Sequence, residues 1–110
     1  MGRIIEQISI TNPLDNDILL TCNAFVDTGA ALTVLPSAWK NKLGKLNKIS
    51  DMDFELGNQE IIKGEIYGPV LIEMEGFRGV YTEIAFIDMH PINGIYEPVI
   101  GYTLLELAAA

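Results

Sequence analysis

The sequence has very few of the side chains on which conventional catalysis rests: one cysteine and one histidine in 110 residues. The lone Cys22 excludes an intrachain disulfide. Set in the apolar run ILLTCNAFV, it reads as a buried, inert thiol rather than a nucleophile. His90, directly before Pro91 in the loop-like DMHPINGIYEP, supports neither a Ser-His-Asp nor a Cys-His arrangement. No cluster of metal ligands accompanies it, so neither a metal nor any other cofactor is expected. Basic residues are also scarce. Seven Lys and Arg against fifteen Asp and Glu give a formal charge of −8, which repels phosphate backbones and argues against nucleic acid as a partner. No apolar run approaches the length that crosses a bilayer, and MGRIIEQISI lacks the apolar stretch of a secretion signal. The expectation is a cytoplasmic protein with no membrane partner. Ten glycines and five prolines are too few for a disordered chain in which 49% of residues are hydrophobic. One small globular domain remains, with carboxylates as its chemical resource.

Turn-forming segments divide the chain into short strands at the spacing of a small sandwich or barrel. Strands are expected near Arg3–Ile10, Asp17–Val26, Leu32–Leu35, Ile49–Leu56, Glu60–Ile66, Pro69–Glu75, Val80–Ile87 and Pro98–Ile100. TNPLDND, LGNQE, EGFRG and HPINGIYEP separate them, rich in the residues that accept turn geometry. Helix is sparse. PSAWKNKLGK has Pro36 at its start and Gly44 past its end, the usual asymmetry of a short helix, and YTLLELAAA can form a second. The domain is taken as residues 1–107. The closing Ala108–Ala110 read equally as native sequence and as a cloning scar and are left out of the functional argument.

One stretch asks for an explanation: AFVDTGAALTVLP, Ala24 to Pro36, holds a single carboxylate, Asp27, between two apolar runs. Aspartate and glycine suit a strand-to-turn junction whatever the function, and an Asp-Thr-Gly triplet occurs by chance in a few chains per hundred of this length, on the order of residue frequencies. Its companions carry more weight. A hairpin with a glycine at its tip, FELGNQEIIKGE, follows it, and near the C-terminus PVIGYTLLE leads two apolar residues and a glycine into a helix.

In this order the three elements resemble the retropepsin-like, single-domain aspartic proteases. Most similar are the small prokaryotic members with Asp-Thr-Gly-Ala, a later leucine-glycine pair (Leu43-Gly44 here) and an Ile-Gly followed by Leu-Glu. The resemblance spans roughly Ile8 to Leu107. It implies an all-β fold, a small closed barrel with one or two short helices, and an aspartic endopeptidase needing no cofactor and acting on a peptide or protein substrate. It also implies a homodimer, because each subunit would carry half an active site and two copies of Asp27 would meet on a two-fold axis. Gly29 would let the backbone pass close beneath the carboxylates and donate its N–H to Asp27, and Thr28 would reach across the axis to the opposite loop. Ala30 offers no hydroxyl to the carboxylate. A carboxylate with fewer hydrogen bonds to its charged form keeps its proton to higher pH, so activity should extend nearer neutrality than in relatives with serine there. Leu56, Gly57, Asn58 and Gln59 would form the flap that binds substrate as an added strand. Ile100 and Gly101 would pack beneath the Asp27 loop.

Three departures from the family pattern stand out. Tyr102-Thr103 replaces the charged pair that follows the glycine in many relatives; Thr103 with Glu106 reads instead as a capping box. The flap tip holds less glycine than in viral members. No apolar strand follows Leu107, so dimerisation would rest on the N-terminal segment and the Asp27 loops, or the closing strand has been lost and the chain would be an inactive monomer. A second reading, a barrel that binds peptide or protein without cleaving it, is set against the enzyme by the cost of keeping a partly buried charge. Trp39 is expected to pack the short helix on the barrel, the four methionines to be scattered, and Lys40, Lys42, Lys45 and Lys48 to form a solvated face.

Overall fold

The computed structural model describes residues 4–55 and 60–109. Seven strands, β1 (Ile5–Asn12), β2 (Asp15–Val26), β3 (Thr33–Pro36), β4 (Lys48–Glu55), β5 (Ile61–Met74), β6 (Val80–Ile87) and β7 (Val99–Ile100), form one sheet. A 3₁₀ helix, Ser37–Leu43, follows β3, and an α-helix, α1 (Tyr102–Ala109), closes the described chain. The strands lie in the order β1-β2-β7-β3-β6-β5-β4. The expected elements are present, with one merger: Glu60–Ile66 and Pro69–Glu75 are a single strand, β5. Its register with β6 shifts between Tyr67 and Val70, and this irregularity absorbs Pro69, which has no N–H for the ladder.

The sheet curls until β1 meets β5, with Ile8 opposite Met74 and Ile10 opposite Ile72. The expected closed barrel is only partly realised. Among the described residues β4 stays outside the ring and pairs with β5 alone, and β7 joins β2 and β3 through two residues. The reason is local: Pro98 precedes β7 without an N–H to give, and Gly101 leads straight into α1. Alternate residues of β1 and β5 point inward, so Ile8, Ile10, Val70 and Ile72 meet Leu35, Ile84, Phe86 and Ile100 in one core. Leu104 and Ala108, one helical turn apart, lay α1 on that core. Ala108 is therefore buried, whatever its origin.

One polar and one aromatic contact fix the 3₁₀ helix. Buried Asn12 donates from its side chain to the carbonyl of Leu43 at 2.7 Å, an acceptor that the helix end leaves open, and to that of Lys45 just beyond it at 3.1 Å. Trp39 packs on the core and meets Tyr96 edge to face, ring centres 5.8 Å apart. The lysines are not all a solvated face. Lys40 and Lys48 converge on the Glu65 carboxylate of β5, Lys48 also pairs with Asp51 at 2.9 Å, and the Lys40 ammonium lies over the Tyr67 ring.

Candidate active site

β2 ends at Val26, and the chain turns out of the sheet through Asp27, Thr28 and Gly29 before β3 begins at Thr33. The Gly29 N–H donates to the Asp27 Oδ1 at 2.9 Å, and the Ala30 N–H donates to the Asp27 carbonyl at 3.1 Å. A carboxylate that accepts from the backbone two residues on folds the turn around itself. Glycine suits the position: a β-carbon on Gly29 would stand 3.2 Å from that same Oδ1.

Behind the loop lies the strand-to-helix joint. The Asp27 N–H donates to the Ile100 carbonyl at 3.1 Å, and Ile100 is fully buried. Gly101 approaches so closely that a β-carbon there would collide with the Leu32 carbonyl group. Its N–H donates to the hydroxyl of buried Thr33 at 3.2 Å. The first N–H groups of α1 then find acceptors in the loop, Tyr102 donating to the Ala30 carbonyl at 2.7 Å and Thr103 to the Ala31 carbonyl at 3.2 Å. Thr103 is thus inside the helix and not its cap, because the loop carbonyls, rather than a side chain, satisfy the helix start. Backbone bonds join Asp27 to Ile100 and Ala30 to Tyr102, and Gly101 is tied in through the Thr33 hydroxyl.

The loop presents Asp27, Thr28 and Gly29 to solvent, with Ala30 half-buried. Asp27 borders a cavity of about 440 Å³ whose walls are Leu32, Val34, Met52, Phe54, Ile87, Met89 and Val99. His90 and Glu97 add polar lining. Because Asp27 is exposed in the single chain, the cost of burying its charge does not separate an enzyme from a binder. Met52 and Met89, scattered in sequence, meet at this cavity, and so does His90. No local pattern marks them; β4 and the segment after β6 converge only once the sheet has curled. Leu56, Gly57, Asn58 and Gln59, expected to form the flap, lie outside the described residues. β4 and β5, which lead into and out of them, are paired from Lys48–Tyr67 to Glu55–Ile61.

Across the Glu97 segment a second cavity, about 830 Å³, is lined by Phe25, Trp39, Tyr96, Ile92 and Ile95 among others, and Cys22 faces it. Burial pushes the Cys22 thiol up to about 11, which leaves little thiolate at neutral pH and makes it a poor nucleophile. Among the described residues no group of three or more His, Cys, Asp or Glu could hold a metal ion, and no helix is long and apolar enough to cross a membrane. The site therefore offers one exposed carboxylate, oriented by a backbone N–H, at the mouth of an apolar cavity. A single such group can take a proton from water, but peptide hydrolysis also needs an acid on the carbonyl side.

No protein-family model and no curated protein matches the sequence. Among solved structures, the chain is similar to the EIAV protease complexed with the inhibitor HBY-793, at 22% identity and a TM-score of 0.71, covering 99% of this chain and 90% of that one. The chain has a retropepsin-like fold.

Proposed function

We propose that the chain is an aspartic endopeptidase that becomes complete on forming a homodimer, with one Asp27 from each copy. Two carboxylates brought that close do not both ionise; they share a proton and titrate as a pair, behaviour for which aspartic proteases are the standard case. The charged member then takes a proton from a water molecule as that water attacks the peptide carbonyl. The protonated member hydrogen-bonds the carbonyl oxygen as negative charge develops there. No covalent intermediate forms, so the scarcity of Ser, Cys and His nucleophiles is no obstacle. Thr28, stiff at its first torsion, would fix the two loops relative to each other.

The observation that carries this reading is the way Asp27 is held: exposed, oriented by the Gly29 N–H, bonded from behind to the Ile100 carbonyl, and set beside an apolar cavity. The likeness of the fold to a viral protease supports it. The test is cleavage of a mixed peptide library from about pH 4 to 7 by the wild-type chain and by Asp27→Asn, with sedimentation on the same samples. The expected result is a dimeric wild type whose activity peaks between two pH limits, and a dimeric variant whose rate falls roughly a thousandfold or more. Cleavage that survives in Asp27→Asn would remove Asp27 from the mechanism. A dimeric wild type that cleaves nothing would favour a peptide-binding module.

A further inference from the structure

The strand that delivers Asp27 leaves part of its own edge open. Along an antiparallel pair, successive residues turn their N–H and C=O alternately toward the partner and away. Val26 donates its N–H to the Ile4 carbonyl at 2.9 Å, toward β1; Phe25 donates to the Pro98 carbonyl at 2.8 Å, in the opposite direction. Asn23 and Thr21, two and four residues before Phe25, therefore face the same outer edge as Phe25. β7 covers that edge only opposite Phe25 and Val26. Below it, the outward N–H and C=O of Asn23 and Thr21 have no backbone partner among the described residues.

In front of this open edge lies the cavity of about 830 Å³. Its aromatic wall is Phe25, Trp39 and Tyr96, and its outer lip is formed by Ile92 and Ile95, which are 60% and 68% exposed. Lys42 stands on the rim with its ammonium 5.3 Å from the Trp39 ring centre. Unlike Lys40 and Lys48, it makes no ion pair among the described residues. A row of unpaired backbone groups beside an apolar trough has the two halves of a strand-addition site: a ladder for affinity, and pockets for alternate side chains.

We infer that this edge binds an extended peptide, added as a strand along Thr21–Asn23, with alternate apolar side chains in the aromatic cavity and a carboxylate against Lys42. Charge complementarity selects that occupant. Lys42 is a cation without an ion pair among the described residues, on the rim of an apolar cavity that Glu97 also lines, so a segment that places apolar side chains in the cavity and one carboxylate at Lys42 gains an ion pair there. The inference goes beyond the protease reading and does not depend on it, since nothing in this contact uses the Asp27 carboxylate.

Trp39, the only tryptophan, lines the cavity and serves as the reporter. The full chain carrying Asp27→Asn, which prevents turnover, is titrated with an acetylated peptide that alternates leucine with serine and bears one glutamate. The same peptide N-methylated at alternate amides, which blocks a ladder, is run beside it. The expected result is a saturable change in Trp39 fluorescence, with binding weakened roughly tenfold by N-methylation, by Lys42→Glu and by Asn23→Pro. Proline at Asn23 removes an N–H that the β1 ladder does not use. If Asn23→Pro fails a circular-dichroism check of folding, the N-methylated peptide and Lys42→Glu carry the test. Equal binding of the N-methylated peptide, or an unchanged Trp39 signal, would overturn the inference. So would self-association in sedimentation that Asn23→Pro abolishes, which would give the edge to a second copy.

Discussion

Two halves of the ring are held together by different means. On one side β1 and β2 are laced from Ile5–Phe25 to Asn12–Asp15, and β5 and β6 from Gly64–Ile87 to Ile72–Val80, over a core of fully buried Ile8, Ile72, Ile84 and Phe86. On the other, among the described residues β2 reaches β3 only through the two residues of β7, and single bonds join the Asp27 loop to Ile100, Tyr102 and Thr103, and Gly101 to the Thr33 hydroxyl of β3, in place of a ladder. Asp27 and the cavity of about 830 Å³ lie on this second side, and the cavity of about 440 Å³ opens between the Asp27 loop and β4. A finished ladder has no groups left for a ligand. The sparse seam keeps the backbone and cavity surface that a peptide can use, and a few well-placed bonds keep it in shape.

That division can be broken from either side, and the largest effect should come from the laced one. Phe86 is fully buried and meets Tyr67 edge to face at 5.6 Å, so Phe86→Ala should lower stability by about 4 kcal/mol in urea unfolding. The loss should be global, with amide exchange accelerated everywhere. Gly101→Ala comes next. Its β-carbon meets the rigid backbone of Leu32, and displacing that backbone should cost about 3 kcal/mol. Here the exchange of the Asp27, Tyr102 and Thr103 amides should rise more than that of Ile72 or Ile84. If both substitutions accelerate all amides alike, the seam is no separate unit.

Thr33→Val is the sharper probe, since it keeps the shape and removes the hydroxyl that accepts from Gly101. A buried N–H left without a partner costs about 1 to 2 kcal/mol. The expected outcome is a modest loss of stability with a disproportionate rise in exchange at Gly101 and its neighbours. Cleavage, if the protease reading holds, should fall more than stability predicts, because the loop behind Asp27 loosens.

Much of this was legible in the sequence, and unevenly so. The strands and both helices were readable because alternation and turn residues are local signals, as in Val80–Ile87, which matches its strand end to end. The Asp27 loop and its Ile100-Gly101 backing were readable as well, because glycine marks a close approach and here the Gly101 approach to Leu32 is real. What sequence could not supply was the meeting of distant residues. Met52, Met89 and His90 form one cavity only because β4 and the segment after β6 converge, and Lys40 and Lys48 are paired because β5 runs Glu65 between them. The closed barrel was too regular an expectation for the same reason: the short strand at Val99–Ile100 is readable, but which strands it joins, and that β4 lies beside β5, are pairings between distant segments.

The smallest effect should come from that Glu65 cluster, which lies on the laced side and near the surface. The Lys40 ammonium, and after it Lys48, hydrogen-bond the Glu65 carboxylate and hold it below the usual carboxylate range. The same contacts raise both lysines above their ordinary value. A carboxyl group depressed in the folded state stabilises above its unfolded pKa of about 4.3, and that contribution is lost as pH falls through the lower folded value. The lysine contribution has the opposite sign: it is full below the unfolded lysine pKa and disappears as pH rises through the raised one. Glu65→Gln should therefore lower the urea midpoint slightly at pH 7. The gap from wild type should close in acid, and it should shrink in high salt because these groups are open to solvent screening. Amide exchange around Asp27 should not change. Were it to rise as far as in Thr33→Val, a surface ion pair on the ladder side would be steering the seam, and the two halves of the ring would have to be treated as one.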